Sequence, residues 1–200
     1  MKRLRIVGLG ASATAGTPGF YSPRERPPYG EGNEQSQYAY WMQKARPSWE
    51  VLNRGMRGQR TDQILMRFEY DVLDLSPDVL ILMAGTNDLY QGYEPEQAFE
   101  NLRLMTGRAA SAGIRVVLCS ILPLNVASPE VKQRILRLNA RVQDFAKGPD
   151  PAFCDIYRVM EDPRRPGFIA DSPDDVHPNP AGYRRMGEAL VPVVETLVSH

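Results

Sequence analysis

Ser12 and His177 are the pair of residues that could do nucleophilic chemistry. A serine hydroxyl is a weak nucleophile at neutral pH and needs an adjacent base. The chain has two histidines, His177 and the terminal His200. A last residue frays, so a histidine base is assigned to His177. Asp174 stands three positions before it, in the turn Asp174-Asp175-Val176-His177-Pro178. A carboxylate there can fix the imidazole tautomer and stabilise the cation formed when the ring takes a proton. Asn87, in Gly85-Thr86-Asn87-Asp88, offers a side-chain amide to a developing oxyanion. The segment Asn53-Arg54-Gly55-Met56-Arg57-Gly58 holds glycines, which let a backbone N–H come close to a ligand. Taken singly, each has a plain reading: a capping Ser, a turn, a turn Asn, a surface His beside a capping Asp.

What raises them above those readings is the set of elements that would carry them. Strands are predicted at 4–9, 49–52, 78–84, 114–121 and 152–156. Helices are predicted at 36–45, 61–75, 95–112, 128–146 and 179–198. The apolar spacing of Ile64, Leu65, Phe68, Val72 and Leu75 marks the second helix. Ser128-Pro129 and Asn179-Pro180 read as capped helix starts. Five strands alternating with helices give an α/β fold with a five-stranded parallel sheet. Ligands then bind outside the carboxyl ends of the strands. Ser12, the 53–58 segment and Asn87 each follow a strand, and His177 precedes the last helix. Residues 17–37, rich in Pro, Gly and Tyr, are long for a connection and are predicted to be a substrate lip.

Together these segments resemble the SGNH hydrolases, the GDSL-type esterase/lipase family. The matching blocks are Gly10-Ala11-Ser12, 53–58, Gly85-Thr86-Asn87-Asp88 and Asp174-Asp175-Val176-His177-Pro178, in the family's order. The resemblance implies a flavodoxin-like three-layer α/β/α sandwich over a single domain, 1–200. It implies Ser12 as nucleophile, His177 as base and Asp174 as the residue orienting the base. It also implies an oxyanion hole from the N–H groups of Ser12 and Gly58 and the amide of Asn87. The reaction implied is hydrolysis of short-chain, acetyl-type esters through an acyl-enzyme, with no cofactor and no metal. An acyltransferase, a thioesterase or a lysophospholipase would use the same site. One departure stands out: the family reads Gly-Asp-Ser where this chain has Gly10-Ala11-Ser12. A ligand-binding member weakened by Ala11 is the non-enzyme alternative. Tyr21, Tyr29, Tyr90 and Phe168 are candidates to line the substrate lip.

Composition narrows the rest. Lys+Arg and Asp+Glu are 24 each, for zero net charge. Their scatter argues against a nucleic-acid face, although 20 of the 24 cations are Arg. No apolar run approaches a membrane span. The basic start Met1–Arg5 imitates a signal peptide, but its apolar part is short and Gly-rich, so a cytoplasmic protein is expected. Cys119 and Cys154 fall on predicted strands as buried thiols. Gly8-x-Gly10-x-x-Ala13 fits a dinucleotide fingerprint, but strand two ends in Asn53-Arg54 where an acid is needed. A nucleophile elbow fails at Thr14. One usable His is too few for a metal hydrolase. The partner expected is a small-molecule ester; oligomeric state is not readable.

Overall fold

Val79–Met83 is apolar and buried at every position, which only a strand covered on both faces satisfies. In the computed structural model, which describes residues 3–148 and 150–199, this run is the centre of a parallel sheet. His200 and the first two residues of the basic start lie outside the described residues. The strands are β1 (Leu4–Gly10), β2 (Trp49–Gly55), β3 (Val79–Met83), β4 (Arg115–Cys119) and β5 (Ala152–Cys154). They run parallel in the order β2-β1-β3-β4-β5, the flavodoxin-like arrangement. The chain steps from β1 to one side and then to the other, which opens a crevice at the carboxyl ends of β1 and β3.

Successive side chains point to opposite faces. Val7, Leu9, Leu80 and Leu82 join one apolar cluster, and Ile6, Val79, Ile81 and Met83 join the other. The nine helices among the described residues are α1 (Ser12–Ala15), α2 (Tyr38–Ala45), α3 (Thr61–Met66), α4 (Phe68–Asp71), α5 (Thr86–Tyr90), α6 (Pro95–Ser111), α7 (Pro129–Phe145), α8 (Ile156–Met160) and α9 (Pro180–Val198). α3, α4, α6 and α7 cover the first face through Ile64, Phe68, Met105 and Leu138. α2 and α9 cover the second through Met42, Tyr183, Met186 and Leu190. The predicted caps form: Ser128 accepts from Val131 N–H, and Asn179 from Gly182 N–H.

The single helix predicted over 61–75 is broken into α3, α4 and a 3-10 turn, Leu73–Leu75. The first break falls at Arg67, with φ −101° and ψ 8°. Its side chain leaves the helix surface to bond distant carbonyls, and those tertiary bonds override helical spacing. The strand predicted over 152–156 stops at Cys154, because Asp155 turns to cap α8, accepting from Arg158 N–H at 3.2 Å. The helix predicted from residue 36 starts at Tyr38, after a 3-10 turn, Glu34–Ser36. The short α1, α5 and α8 were not predicted, since one turn is too short to show a period.

Residues 17–37 are anchored rather than loose. Phe20–Tyr21 pairs with Glu31–Gly32 in an antiparallel ribbon. Phe20 is buried, and Ser22 Oγ donates to Gly55 O at 2.6 Å. Glu25 accepts from Arg57 N–H at 2.9 Å, and Arg57 donates to Phe20 O at 2.6 Å. The ribbon is thereby docked on the carboxyl end of β2.

Candidate active site

β1 ends at Gly10, and the chain turns at once into α1. Ser12 is the first residue of that helix, so its N–H has no intrahelical acceptor. α1 can lie flush on β2 because residue 55 is Gly: a Cβ there would collide with the backbone of Ala15. Ala11 precedes the helix without a side-chain cap and is itself nearly buried in the apolar cluster. The turn is tied to α9 as well. Thr17 N–H donates to Ser12 O at 3.1 Å, and Tyr183 Oη–H donates to Thr17 O at 2.7 Å.

His177 reaches this turn from the loop before α9. Its Nε2 lies 2.8 Å from Ser12 Oγ, and its Nδ1 lies 2.7 Å from Asp174 Oδ2. With Nδ1–H donating to Asp174, Nε2 is left to accept from the serine hydroxyl. Asp174 Oδ1 accepts from Val176 N–H at 3.0 Å and His177 N–H at 2.7 Å. Burial pushes the Asp174 carboxyl up, but the bonds from the His177 ring and the two N–H groups outweigh it. The group sits below the usual carboxylate range. Its ionised form therefore stabilises the fold at neutral pH, and that contribution fades as pH falls through the depressed value. Asp175 does not face the imidazole. It adopts φ 63° and bonds Asn125, which donates from Nδ2 to Asp175 Oδ1 at 3.0 Å and from N–H to Asp175 O at 3.0 Å. Asn125 thus holds the histidine loop against the loop after β4.

At the carboxyl end of β3, Asn87 is the second residue of α5. Its Nδ2 donates to Gln59 O at 2.8 Å, which fixes the amide and leaves one N–H of the group uncommitted. Its neighbour Asp88 is buried and accepts from Thr61 N–H at 3.0 Å and Thr61 Oγ1–H at 2.5 Å. Burial raises the Asp88 carboxyl, only partly offset by those Thr61 bonds. α5 is thereby stapled to the start of α3, just beyond Gly58. Gly58 has φ +71°, a conformation that favours glycine, and open space on its Cβ side.

Beside Ser12 and His177, which form part of its wall, lies a narrow slot of about 30 Å³ lined also by Met83, Ala84, Ile121, Leu122, Leu124 and Val176. That is about the volume one water occupies in the liquid, roughly 30 Å³. None of Tyr21, Tyr29, Tyr90 and Phe168 lines it. Tyr21 stacks under the Arg57 guanidinium at 3.7 Å, beside Gly58. Tyr29 and Tyr90 are exposed, and Phe168 lies under Lys132 at 3.4 Å. A larger cavity, about 600 Å³, sits beside Arg115 and Ala152 at the amino ends of β4 and β5, away from every residue named here. Cys119 and Cys154 are buried in register on β4 and β5. Among the described residues no three His, Cys, Asp or Glu side chains gather as a metal site, and no helix is long and apolar enough to cross a membrane.

Of the residues singled out in the sequence, Ser12, His177 and Asp174 are joined directly by hydrogen bonds, and Asn87 and Gly58 stand in the segments that follow β3 and β2. Sequence reading missed Asn125, the slot residues 121–124, and Arg67 with Gln59. The run after β4 carried a faint signal, since any loop at a carboxyl edge is a candidate.

A parallel sheet with helices on both faces, with Ser12, His177 and Asp174 hydrogen-bonded in a row at its carboxyl edge, defines a three-layer α/β/α fold with its candidate site at the switch point. The chain belongs to the GDSL-like Lipase/Acylhydrolase family, whose model matches residues 9–185. It is similar to a lipolytic protein of the G-D-S-L family from Desulfitobacterium hafniense DCB-2, with TM-score 0.79 and 23% identity over 95% of this chain and 99% of that one. It is also similar to a GDSL-like lipase from Bacteroides thetaiotaomicron VPI-5482, with TM-score 0.76 and 28% identity over 96% and 88%. A curated relative is the uncharacterized lipoprotein YqeF of Bacillus subtilis (strain 168), 36% identical over 85 residues, 40% of this chain and 35% of that protein. The match thus spans about a third of that relative.

Proposed function

We propose that the chain is a serine ester hydrolase for short acyl groups, with Ser12 as nucleophile, His177 as base and Asp174 as the carboxylate orienting the base. The observation that carries this is the unbroken chain from Asp174 Oδ2 to His177 Nδ1, 2.7 Å, and from His177 Nε2 to Ser12 Oγ, 2.8 Å. In this mechanism Ser12 Oγ attacks the ester carbonyl carbon while its proton passes to Nε2. The tetrahedral oxyanion is met by Ser12 N–H, Gly58 N–H and the uncommitted N–H of Asn87. The imidazolium then protonates the leaving alcohol, and an acyl-enzyme remains on Ser12. His177 next takes a proton from water, the hydroxide attacks the acyl carbon, and the acid leaves as Ser12 recovers its proton. Asp174 keeps its negative charge throughout and balances the imidazolium.

The narrow slot of about 30 Å³ beside Ser12 and His177 supports a short acyl group. Tyr21, held by Arg57 beside Gly58, supports residues 17–37 as one wall of the entrance. Wild-type protein is therefore expected to hydrolyse p-nitrophenyl acetate with kcat/KM about tenfold or more above the octanoate ester. Octanoate cleaved as well as acetate would overturn the short-acyl assignment. Absence of Ser12-dependent turnover on both esters would overturn the hydrolase reading.

Asn87 tests the oxyanion assignment separately. Asn87→Ala is expected to cost about 10²–10³-fold in kcat, the usual effect of losing one such donor. The same variant loses the bond to Gln59 O, so a thermal melt must accompany the kinetics. A folded Asn87→Ala protein with wild-type kcat would remove Asn87 from the mechanism.

A further inference from the structure

Arg67 stands in the break between α3 and α4, and its side chain is only 10% exposed. Its Nη2 donates to Gly10 O at 2.9 Å, two residues before Ser12. Its Nη1 donates to Arg54 O at 2.9 Å, in the strand that leads to Gly58. Its Nε donates to Gln59 Oε1 at 2.6 Å, and the carbonyl of that same Gln59 accepts from Asn87 Nδ2. One planar group is therefore bonded to the Ser12 turn and the Gly58 loop, and through Gln59 to Asn87.

The plain reading is an i,i+4 ion pair, because Nη1 also meets Asp71 Oδ2. The helix, however, is interrupted at Arg67, and the guanidinium's three other bonds go to Gly10, Arg54 and Gln59. Asp71 is fully buried and is shared with Arg24, whose Nε lies 3.0 Å from Asp71 Oδ1. A buried cation costs desolvation, so a group kept here must be held by its partners. The Ser12 turn needs such support: Ala11 supplies no side-chain cap to α1. Arginine suits the task because its rigid fork can serve several acceptors at fixed angles.

We propose that Arg67 is a positioning residue, holding the Ser12 turn, the Gly58 loop and Asn87 in the fixed relation that makes the three oxyanion donors converge. This rests on the serine-hydrolase reading of the site. The test uses Arg67→Lys and Gln59→Ala in the full chain, with Ser12→Ala alongside. Lys keeps a cation opposite Asp71 but cannot span the acceptors that the fork reaches. Arg67→Lys is expected to lower kcat on p-nitrophenyl acetate about 10²-fold, the usual cost of a small misplacement at a reacting centre. KM should stay within about twofold, because ground-state binding does not use these donors fully. The shape of the pH–rate profile should be retained, since the Asp174–His177 pair is untouched. Gln59→Ala removes one arm and should give a smaller fall in the same direction. Hydrogen exchange should quicken at residues 10–13 and 56–59 in both variants, and because Arg67→Lys also lowers the thermal midpoint, kcat is compared per folded protein at a temperature where both variants are native. Unchanged kcat in Arg67→Lys, or a loss that only tracks the unfolded fraction, would overturn the proposal. If wild type shows no Ser12-dependent turnover, the hydrolase reading fails and exchange alone decides: faster exchange at both segments supports the brace, and unchanged exchange overturns it.

Discussion

Ser12→Ala is expected to lower kcat on p-nitrophenyl acetate by roughly 10⁴-fold or more. Among the described residues the side chain's one hydrogen-bond partner is His177 Nε2, so truncation removes the nucleophile and leaves the turn standing. α1 is held by backbone bonds, Ala15 N–H to Ala11 O at 2.9 Å and Gly16 N–H to Ser12 O at 3.0 Å, and Ala at position 12 keeps both. The thermal midpoint should therefore stay close to wild type. Some turnover should survive, because the oxyanion donors do not depend on the hydroxyl. A fluorophosphonate reagent should add its mass to wild-type protein at Ser12 and leave the variant unlabelled. Near-normal turnover by a folded Ser12→Ala protein would sink the mechanism outright. Labelling without turnover would instead place the limit at deacylation or at the choice of ester.

Much of this arrangement is legible in the sequence because each piece is locally encoded. β3 announces itself as an apolar run, and α7 and α9 by Ser128-Pro129 and Asn179-Pro180. Ser12 and Asn87 follow β1 and β3 within a few residues and His177 precedes α9, and a parallel sheet gathers such segments at one edge. The 165 positions between Ser12 and His177 are closed by topology: β1 is an inner strand, between β2 and β3, and α9 packs back across the sheet beside α2. What the sequence hides is any role set by a distant partner. Arg67 and Asp71 read as an ordinary helical ion pair, and the helix 61–75 looks continuous. Only the fold shows Gly10 O and Arg54 O waiting for the guanidinium. Asn125 reads as a loop residue, yet it pins the histidine loop by bonding Asp175. The same limit explains the aromatic side chains. Tyr21 finds Arg57 beside the site, whereas Tyr29 points to solvent, and their positions in the chain do not distinguish them.

At Ala11 the fold supplies an apolar environment rather than partners for a carboxylate. The missing carboxylate suggests a loosened nucleophile turn. In the fold Ala11 packs into an apolar cluster with Val7 and Leu9, and the bonds holding the turn come from Arg67, Met56 and Thr17. The Ser12–His177 contact of 2.8 Å is kept without the acid.

Asp174→Asn is expected to cost about 10⁴-fold in kcat, through the tautomer of His177 and with little change in shape. Asp174 Oδ1 already has two fixed donors, the N–H groups of Val176 and His177 at 3.0 and 2.7 Å. An asparagine must keep its oxygen there, so its NH₂ group is turned toward His177 Nδ1. Nδ1 then has to accept, and the ring proton moves to Nε2. Nε2–H cannot take the serine proton, although the distance to Ser12 Oγ can stay the same. The variant should fold, bind ester with near-normal KM, and fail in acylation. Raising the pH should recover part of the activity, where hydroxide can assist proton removal from Ser12. The discriminating comparison is Asp174→Ala. That variant loses the wrong-tautomer bond as well as the right one, and water can reach Nδ1 because Asp174 is partly exposed. Asp174→Ala should therefore be no slower than Asp174→Asn. If Asp174→Asn retains wild-type kcat, tautomer control by Asp174 is wrong. If Asp174→Ala is far slower than Asp174→Asn, the carboxylate acts by bracing the loop through the backbone N–H groups of Val176 and His177 rather than by orienting the base.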